Sequence, residues 1–367
     1  MQNSGCVPFI FAIFISNIYP YDIAMRRLWL ALILLVFFGA CGSTQSGKVT
    51  LIVYSPHGKE LLGDFEKRFE AQNPNIDVRW LDMGSQAALD RVRSERTNPQ
   101  ADIWWGAPST MFSQAEKENL LEPYKPSWAD KVDQDAKSKT DAWYGTFQTP
   151  EVIAFNSKAI SREQAPQDWD DLLDPKWKGK IVIRDPLPSG TIRAIFSAAI
   201  LRKMGPDGSP QPGYDWLRKL NANTKDYPAD QTLMLQQIGR QEAVLTLWNM
   251  PDIELQKGQY GFPLDYVIPK SGTPVLTDGI AIVKGTKHPK EAQAFYEFVN
   301  SPESLAHAAT QYYRIPARND IPKDALPEWM RNLNFPKLTM NWDLIEAKQQ
   351  EWMEYWNSYI RGASAAP

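Results

Sequence analysis

Cysteine is nearly absent from this chain: Cys6 and Cys41 are the two thiols, and none follows Cys41. Beyond that point no disulfide, thiolate zinc site or thiol nucleophile can form. Histidine is as sparse, with His57, His288 and His307 alone, which leaves little for a triad. The patterns HExxH and GxSxG do not occur, and the one GxxxxGK, Gly42 to Lys48, is followed by Val49 instead of the Ser or Thr of a P-loop, so the commonest zinc-hydrolase, serine-hydrolase and P-loop chemistries lose their signatures. His288 stands before Pro289 at an expected helix start and His307 within a helical stretch; both read as structural. Charge of one sign is missing too: 40 Lys and Arg face 43 Asp and Glu, a net charge of -3. With no basic stripe, no nucleic-acid partner is expected. The apolar run Leu28 to Phe38 falls short of the ~20 residues a membrane-spanning helix needs. No repeat of solenoid period is evident.

What is present is a large core. The 367 residues are 43% hydrophobic and 12% aromatic, with 14 tryptophans, enough for one large or two medium domains and incompatible with a disordered chain. Proline (28) outnumbers glycine (21), so connections between elements are expected to be stiff.

The first 40 residues read as a leader. From Met25 the chain runs MRRLWLALILLVFFGACGS: two arginines, a short apolar run, small residues, then cysteine, which is a secretory signal layout. The signal peptide is expected over 25–40, with Met25 as the start. The segment FGAC resembles the bacterial lipobox, which implies lipidation of Cys41 and cleavage before it. Residues 41–47 are then a small, polar tether.

Folding is expected from residue 48. Val49 to Tyr54 is β-rich; Ser55, Pro56, His57 and Gly58 form a turn; Leu61, Leu62, Phe65 and Phe69 then recur at helical spacing. Ile76, Val78 and Trp80 alternate as a second strand, a charged helix covers Gln86 to Arg96, and Ala101 to Trp105 is a third strand. This is βαβαβ, which predicts a parallel sheet with loops gathered at the strands' C-terminal ends. The pattern restarts with a strand at Lys180 to Arg184, the loop DPLPSGT and an apolar helix over Ile192 to Lys203. It continues to the strand Ala243 to Trp248, breaks, and resumes at Leu276 to Val283; an amphipathic helix covers Asp343 to Ile360.

This order of pieces resembles the family 1 extracellular solute-binding proteins of ABC importers, the branch with ferric-iron, hexose-phosphate and phosphonate binders. The likeness rests on YSPHGKE, ADIWWGAPSTMF, DPLPSGT and, most specifically, TDGIAIVKGTKHPKEAQAFYEFVNSPE. It implies an α/β, two-lobe periplasmic-binding-protein fold of type II, each lobe a mostly parallel sheet flanked by helices, the chain crossing twice between lobes. The crossings are placed near Thr146 to Phe155 and Pro263 to Val275. Lobe 1 is then 48–145 plus 275–340, lobe 2 is 151–268, and 341–367 is a C-terminal helix packed on a lobe. The implied partners are a small-molecule solute, an ABC permease in the inner membrane and, through the lipid, the membrane itself. The protein is expected to be monomeric, periplasmic or at the cell surface, without cofactor or metal, and not an enzyme.

The candidate site follows from loops at strand ends, where free backbone N–H groups and the positive end of a helix attract an anion. Ser55 and His57 occupy the first such loop, and Ser109 and Thr110 the third strand's, where plain helix capping would explain them as well. Ser189, Gly190 and Thr191 carry the strongest local signal, a glycine for close backbone approach between two hydroxyls, with Arg184 or Arg193 available for balancing charge. Trp248 is expected to cover the organic part of the solute, although core packing would also explain it; of Trp104 and Trp105 at most one faces the cleft. Ferric binders of the resembled family carry an adjacent tyrosine pair where this chain reads Trp248, Asn249, Met250. Hard ferric iron prefers phenolate and carboxylate oxygen, so an anionic solute bearing phosphate or phosphonate is the expected ligand, ferric iron the alternative. A lipid-anchored secreted hydrolase using paired carboxylates is the alternative outside this class.

Overall fold

A computed structural model describes residues 47–361. The leader over 1–40, Cys41 and most of the tether lie outside the described residues, as do 362–367. Eleven strands occur among the described residues: β1 (Val49–Ser55), β2 (Ile76–Asp82), β3 (Ile103–Pro108), β4 (Leu121–Glu122), β5 (Tyr144–Asn156), β6 (Ile181–Val182), β7 (Thr224–Asp226), β8 (Leu245–Asn249), β9 (Leu264–Val267), β10 (Val275–Val283) and β11 (Ile315–Pro316). Their hydrogen-bonded order is β2-β1-β3-β10-β5-β8-β6-β7, with β11 and β9 also on β5 and β4 on β10. The expected βαβαβ start is there: β1 pairs in parallel with β2 and with β3.

Strand β5 organises the molecule because it changes partners midway. Residues Tyr144 to Pro150 pair antiparallel with β10, and Glu151 to Asn156 pair antiparallel with β8 and β9. Pro150 stands at the changeover. Proline lacks an N–H for a ladder, so it fits where one set of partners ends; the next residue, Glu151, donates its N–H to the Pro274 carbonyl at 3.1 Å.

The core divides in the same way. One cluster, on one face of β1, β3 and β10, includes Phe65, Phe69, Trp105, Phe295 and Tyr296; the opposite face buries Tyr54, Leu89, Trp104 and Phe112. Both Trp104 and Trp105 are fully buried and neither lines the cleft, within the expectation that at most one would. Adjacent strand residues point to opposite faces, and here both faces are covered, with Trp104 against Phe112 at 4.3 Å and Trp105 against Phe65 at 5.2 Å. The third cluster gathers Val152, Phe155, Phe196, Leu217 and Leu245 with Ile345, Trp352, Met353 and Trp356. The helix Trp342–Trp356 therefore buries its apolar face against elements of residues 151–268.

Two helices show why this sequence folds here. In Lys59–Gln72 the buried positions are Leu61, Leu62, Phe65 and Phe69, the apolar stripe of an amphipathic helix. Gly190–Lys203 is instead buried on nearly every side, and Ser189 caps it by accepting the Ile192 N–H at 3.3 Å. Ser189, Gly190 and Thr191 at its N-terminus line a small cavity.

Candidate functional site

The strand ends and helix starts converge on an inner chamber of about 60 Å³, which opens into a wider cleft of about 640 Å³. Pro56, His57, Arg184, Gln231, Asp252 and Arg314 line both. Since one water needs roughly 10–15 Å³ of such space, the chamber suits a head group of a few heavy atoms, with the wider cleft for the remainder.

The loop Ser189, Gly190, Thr191 lines the chamber as expected. Ser189 uses its Oγ on the Ile192 amide and its carbonyl on the Arg193 amide at 3.0 Å, so the first-turn N–H groups of Gly190 and Thr191 remain for a ligand. Arg184 lines the chamber and makes no ion pair among the described residues. Its Nε donates to the Ala229 carbonyl at 3.3 Å, and its guanidinium lies 5.7 Å from the Trp248 ring centroid. Burial lowers its pKa, with Asp230, Asp252, Asp82 and Asp185 opposing; an arginine remains charged regardless. Arg193, the other candidate, is spent elsewhere: it donates to the carbonyls of Pro186 and Leu187 and to Gln350.

His57 lines the chamber, packed edge-on against Trp105 and Phe147. Burial, with Arg314 adding to it, pushes its pKa down to about 3, so the ring is neutral. Its Nε2 is buried without a protein partner. Ser55 is fully buried and lines neither space; its Oγ accepts the His57 N–H at 3.2 Å, so it shapes the turn that presents His57. Trp248 forms a wall of the chamber and donates its indole N–H to Asp252 at 2.9 Å.

Ser109 and Thr110 are a correction. They line a different cavity, of about 890 Å³, with Trp143, Lys117, Trp342 and Glu346. The reason lies one residue earlier: Pro108 ends β3 and faces the chamber, while the helix Ser109–Lys117 turns away behind it. Of the third strand's loop, the proline ring alone reaches the site.

Four charged residues on the chamber or behind it were not foreseen. Asp252, in the first turn of the helix Met250–Gly258, pairs with Arg314 at 2.9 Å and accepts from Trp248 and Asn249 at 2.9 Å each. Burial alone would raise its pKa; Arg314 and those donors outweigh it and hold the carboxyl below its usual value. Asp278, on β10, lines the chamber. There the ladder is irregular on both sides: between Asp278 and Ile280 the pairing to β3 skips a residue, and between Asp278 and Gly279 so does the pairing to β5. Ala107 on the bulged β3 has φ 136°, a conformation that costs a non-glycine residue about 1–3 kcal/mol. Bulges of this kind are common beside sites; here the extra residues lie on β3 and β5, the two strands that flank Asp278. Behind it Glu151 is fully buried, both carboxylate oxygens without a protein partner. The signal available in the sequence was an acid inside each of two apolar strand runs, TPEVIAF and LTDGIAIV. Among the described residues no group of three or more His, Cys, Asp or Glu is placed to hold a metal ion.

Comparison with known proteins agrees with this architecture. A family described as "Bacterial extracellular solute-binding protein" matches residues 98–341. A Sinorhizobium fredii protein named "Probable ABC transporter periplasmic-binding protein" is 27% identical over 315 residues, 83% of this chain and 85% of its own length. A periplasmic binding protein from Actinobacillus pleuropneumoniae, solved with fructose-6-phosphate bound, has a TM-score of 0.74 at 24% identity, over 86% of this chain and 99% of that one. A ferric binding protein from Campylobacter jejuni has a TM-score of 0.72 at 22% identity, over 84% of this chain and 98% of that one. The two solved structures establish a two-lobe periplasmic-binding-protein fold and leave the ligand to the site itself.

Proposed function

This chain belongs to the bacterial extracellular solute-binding protein family, and from that premise we propose that it captures a small oxyanion-bearing solute between its lobes and delivers it to the membrane permease of an ABC importer. Arg184 carries the reading. A chamber-lining guanidinium with no ion-pair partner among the described residues, beside the open first turn of the helix Gly190–Lys203 and the Thr191 hydroxyl, is a donor set for phosphate or phosphonate oxygen. The phosphorylated sugar held by the Actinobacillus protein is a ligand of that chemistry. The end of β8 supplies Trp248 and Asn249 rather than the phenolates ferric iron favours.

Lobe 1 is assigned to 48–145 plus 275–340 and lobe 2 to 151–268, with the C-terminal helix on lobe 2; the division of the core supports this. The lobes then hinge where β5 changes partners, and the solute acts by favouring the closed form over the open one. The mature protein is proposed to begin at Cys41, lipid-anchored on the periplasmic side, after removal of the leader over 25–40. Among the described residues no helix is long and apolar enough to cross a membrane.

The test is a thermal-shift panel on the purified mature protein: phosphorylated sugars, phosphonates, dicarboxylates, polyamines and ferric iron. Stabilisation by phosphorylated or phosphonate compounds is expected. Stabilisation by ferric iron or by polyamines alone overturns the oxyanion reading.

A further inference from the structure

We propose that capture of the oxyanion is coupled to uptake of a proton, which Asp278 and the solute share in the inner chamber. This rests on the cleft being the site of an oxyanion held by Arg184, and adds how the chamber tolerates that charge.

The arrangement of charge leads there. Arg184 and Asp278 line the same chamber of about 60 Å³, room for a few waters, so an oxyanion inside it lies within the field of the Asp278 carboxyl. Asp278 has no ion-pair partner among the described residues. The other titratable or charged groups around it are Glu151 of β5, Asp252 of the helix Met250–Gly258, Arg314 just before β11, and His57. Arg314 is committed to Asp252 at 2.9 Å, and His57 is uncharged. Neither is free to separate two bare anions. A proton between them does so, and turns a repulsion into a charge-assisted O–H···O bond.

Glu151 is the independent observation. It is fully buried and neither oxygen meets a protein donor, a state that favours the protonated, neutral carboxyl. Burial first, then the charges of Asp278 and Asp252, raise its pKa. The acids here already keep one proton, and Asp278, partly exposed and lining the chamber, is the next to take one. Burial pushes the Asp278 pKa up to about 7, with Arg314 opposing and Asp252 adding. At pH 8 the empty chamber therefore holds an ionised Asp278, and a phosphate ester, with its second pKa of about 6, is a dianion. The proton has to come from the solvent: ester dianion, Asp278 carboxylate and one buffer proton give the complex.

Calorimetry at pH 8 with glucose 6-phosphate and with ethyl phosphate, each in two buffers of different ionisation enthalpy, counts the protons taken up per complex. Uptake of about half a proton to one is expected, with affinity falling several-fold from pH 8 to 9. Asp278→Asn keeps the shape of the side chain, needs no proton and offers an N–H to the oxyanion. It should abolish the uptake, hold affinity within about twofold between pH 8 and 9, and bind the esters about tenfold tighter than the parent at pH 9. Glu151→Gln, neutral like the acid it replaces, should keep the uptake. Binding with less than about half a proton taken up, or uptake that survives in Asp278→Asn, overturns the coupling and leaves the oxyanion reading intact. Uptake lost in Glu151→Gln but not in Asp278→Asn moves the proton to Glu151 and overturns the assignment. Weaker binding at pH 9 by an Asp278→Asn protein with an intact melting transition makes the bare carboxylate a required group and overturns the shared proton. Failure of both esters to bind at any pH from 6 to 9 counts against the oxyanion reading itself.

Discussion

Gly190 and Pro108 meet across the chamber so closely that a Cβ on the glycine would stand 2.8 Å from the proline ring. Gly190 opens the helix Gly190–Lys203, whose apolar residues belong to the core cluster of Val152 and Leu245, and Pro108 ends β3, whose tryptophans belong to the other two clusters. Both partners are backbone-bound or cyclic, so neither yields readily. Gly190→Ala should therefore hinder closure without unfolding either half. Affinity for the best panel ligand is expected to fall about tenfold, about 1.4 kcal/mol, with an unchanged ligand-free melting temperature. Calorimetry beside small-angle scattering checks it: unchanged affinity and an equally compact liganded particle would show that the contact does not matter for closure.

Arg184→Met keeps the stem that packs near Trp248 and removes the charge. If the guanidinium holds the oxyanion, affinity should drop by about 10- to 150-fold, the range for ~1.5–3 kcal/mol. Thr191→Val should cost less, since the backbone amides of the helix start remain. A full-affinity Arg184→Met protein would move the anion elsewhere in the cleft.

The legibility of this site in the sequence divides along physical lines. The Ser189, Gly190, Thr191 loop could be read because strand, loop and helix are contiguous and each residue type has a local reason. Ser109 and Thr110 satisfied the same local rule and failed, because the ring of Pro108 and the direction in which the next helix leaves are tertiary facts. The fold was legible for the reason the loop was: β1, β2, β3 and their helices repeat a period that tolerates little else. Asp252, Asp278 and Arg314 converge from a helix, a strand and the segment just before β11, and no spacing links them. What gave Asp278 and Glu151 away, in retrospect, is that each interrupts an apolar strand.

The Asp252–Arg314 pair joins the helix Met250–Gly258 to the segment that returns into β11, both side chains largely buried. Removing one partner strands the other. Arg314→Met should destabilise the protein by about 3–5 kcal/mol, and adding Asp252→Asn should recover a large part of that loss. Denaturant unfolding of the two single variants and the double forms the cycle. Additive losses, with a coupling below about 0.5 kcal/mol, would mean that the pair contributes nothing beyond its packing.

The C-terminal helix offers a plainer test of architecture. Trp356 is fully buried, packed against Phe196 and Tyr227, in the core that also holds Val152 and Leu245. Trp356→Ala should cost about 3–5 kcal/mol. Because the loss falls on one half only, unfolding should split into two transitions in calorimetry; a single cooperative transition at unchanged temperature would put the helix outside the core.

The chamber's titratable groups oppose each other with pH, and variants separate them. Asp278 has its folded pKa raised to about 7 by burial, against a usual 3.8, so between these values the folded state keeps a proton that the unfolded chain releases. Its contribution is full below about pH 4 and is lost as pH rises through 7; Glu151, also raised, acts in the same direction. His57 runs the other way. Its folded pKa is lowered by burial from 6.5 to about 3, so its contribution is full above 6.5 and is lost as pH falls toward 3. Relative to the parent protein, Asp278→Asn should therefore gain stability from pH 5 to 7, whereas His57→Gln should gain it from pH 7 to 5. The readout is the slope of the stability difference with pH, not its absolute size, so a packing defect in either variant does not confuse it. Denaturant unfolding of ligand-free protein at half-unit steps measures both slopes. Parallel lines for Asp278→Asn and the parent would mean that Asp278 titrates alike folded and unfolded, and that the floor of the chamber is wetter than its burial implies.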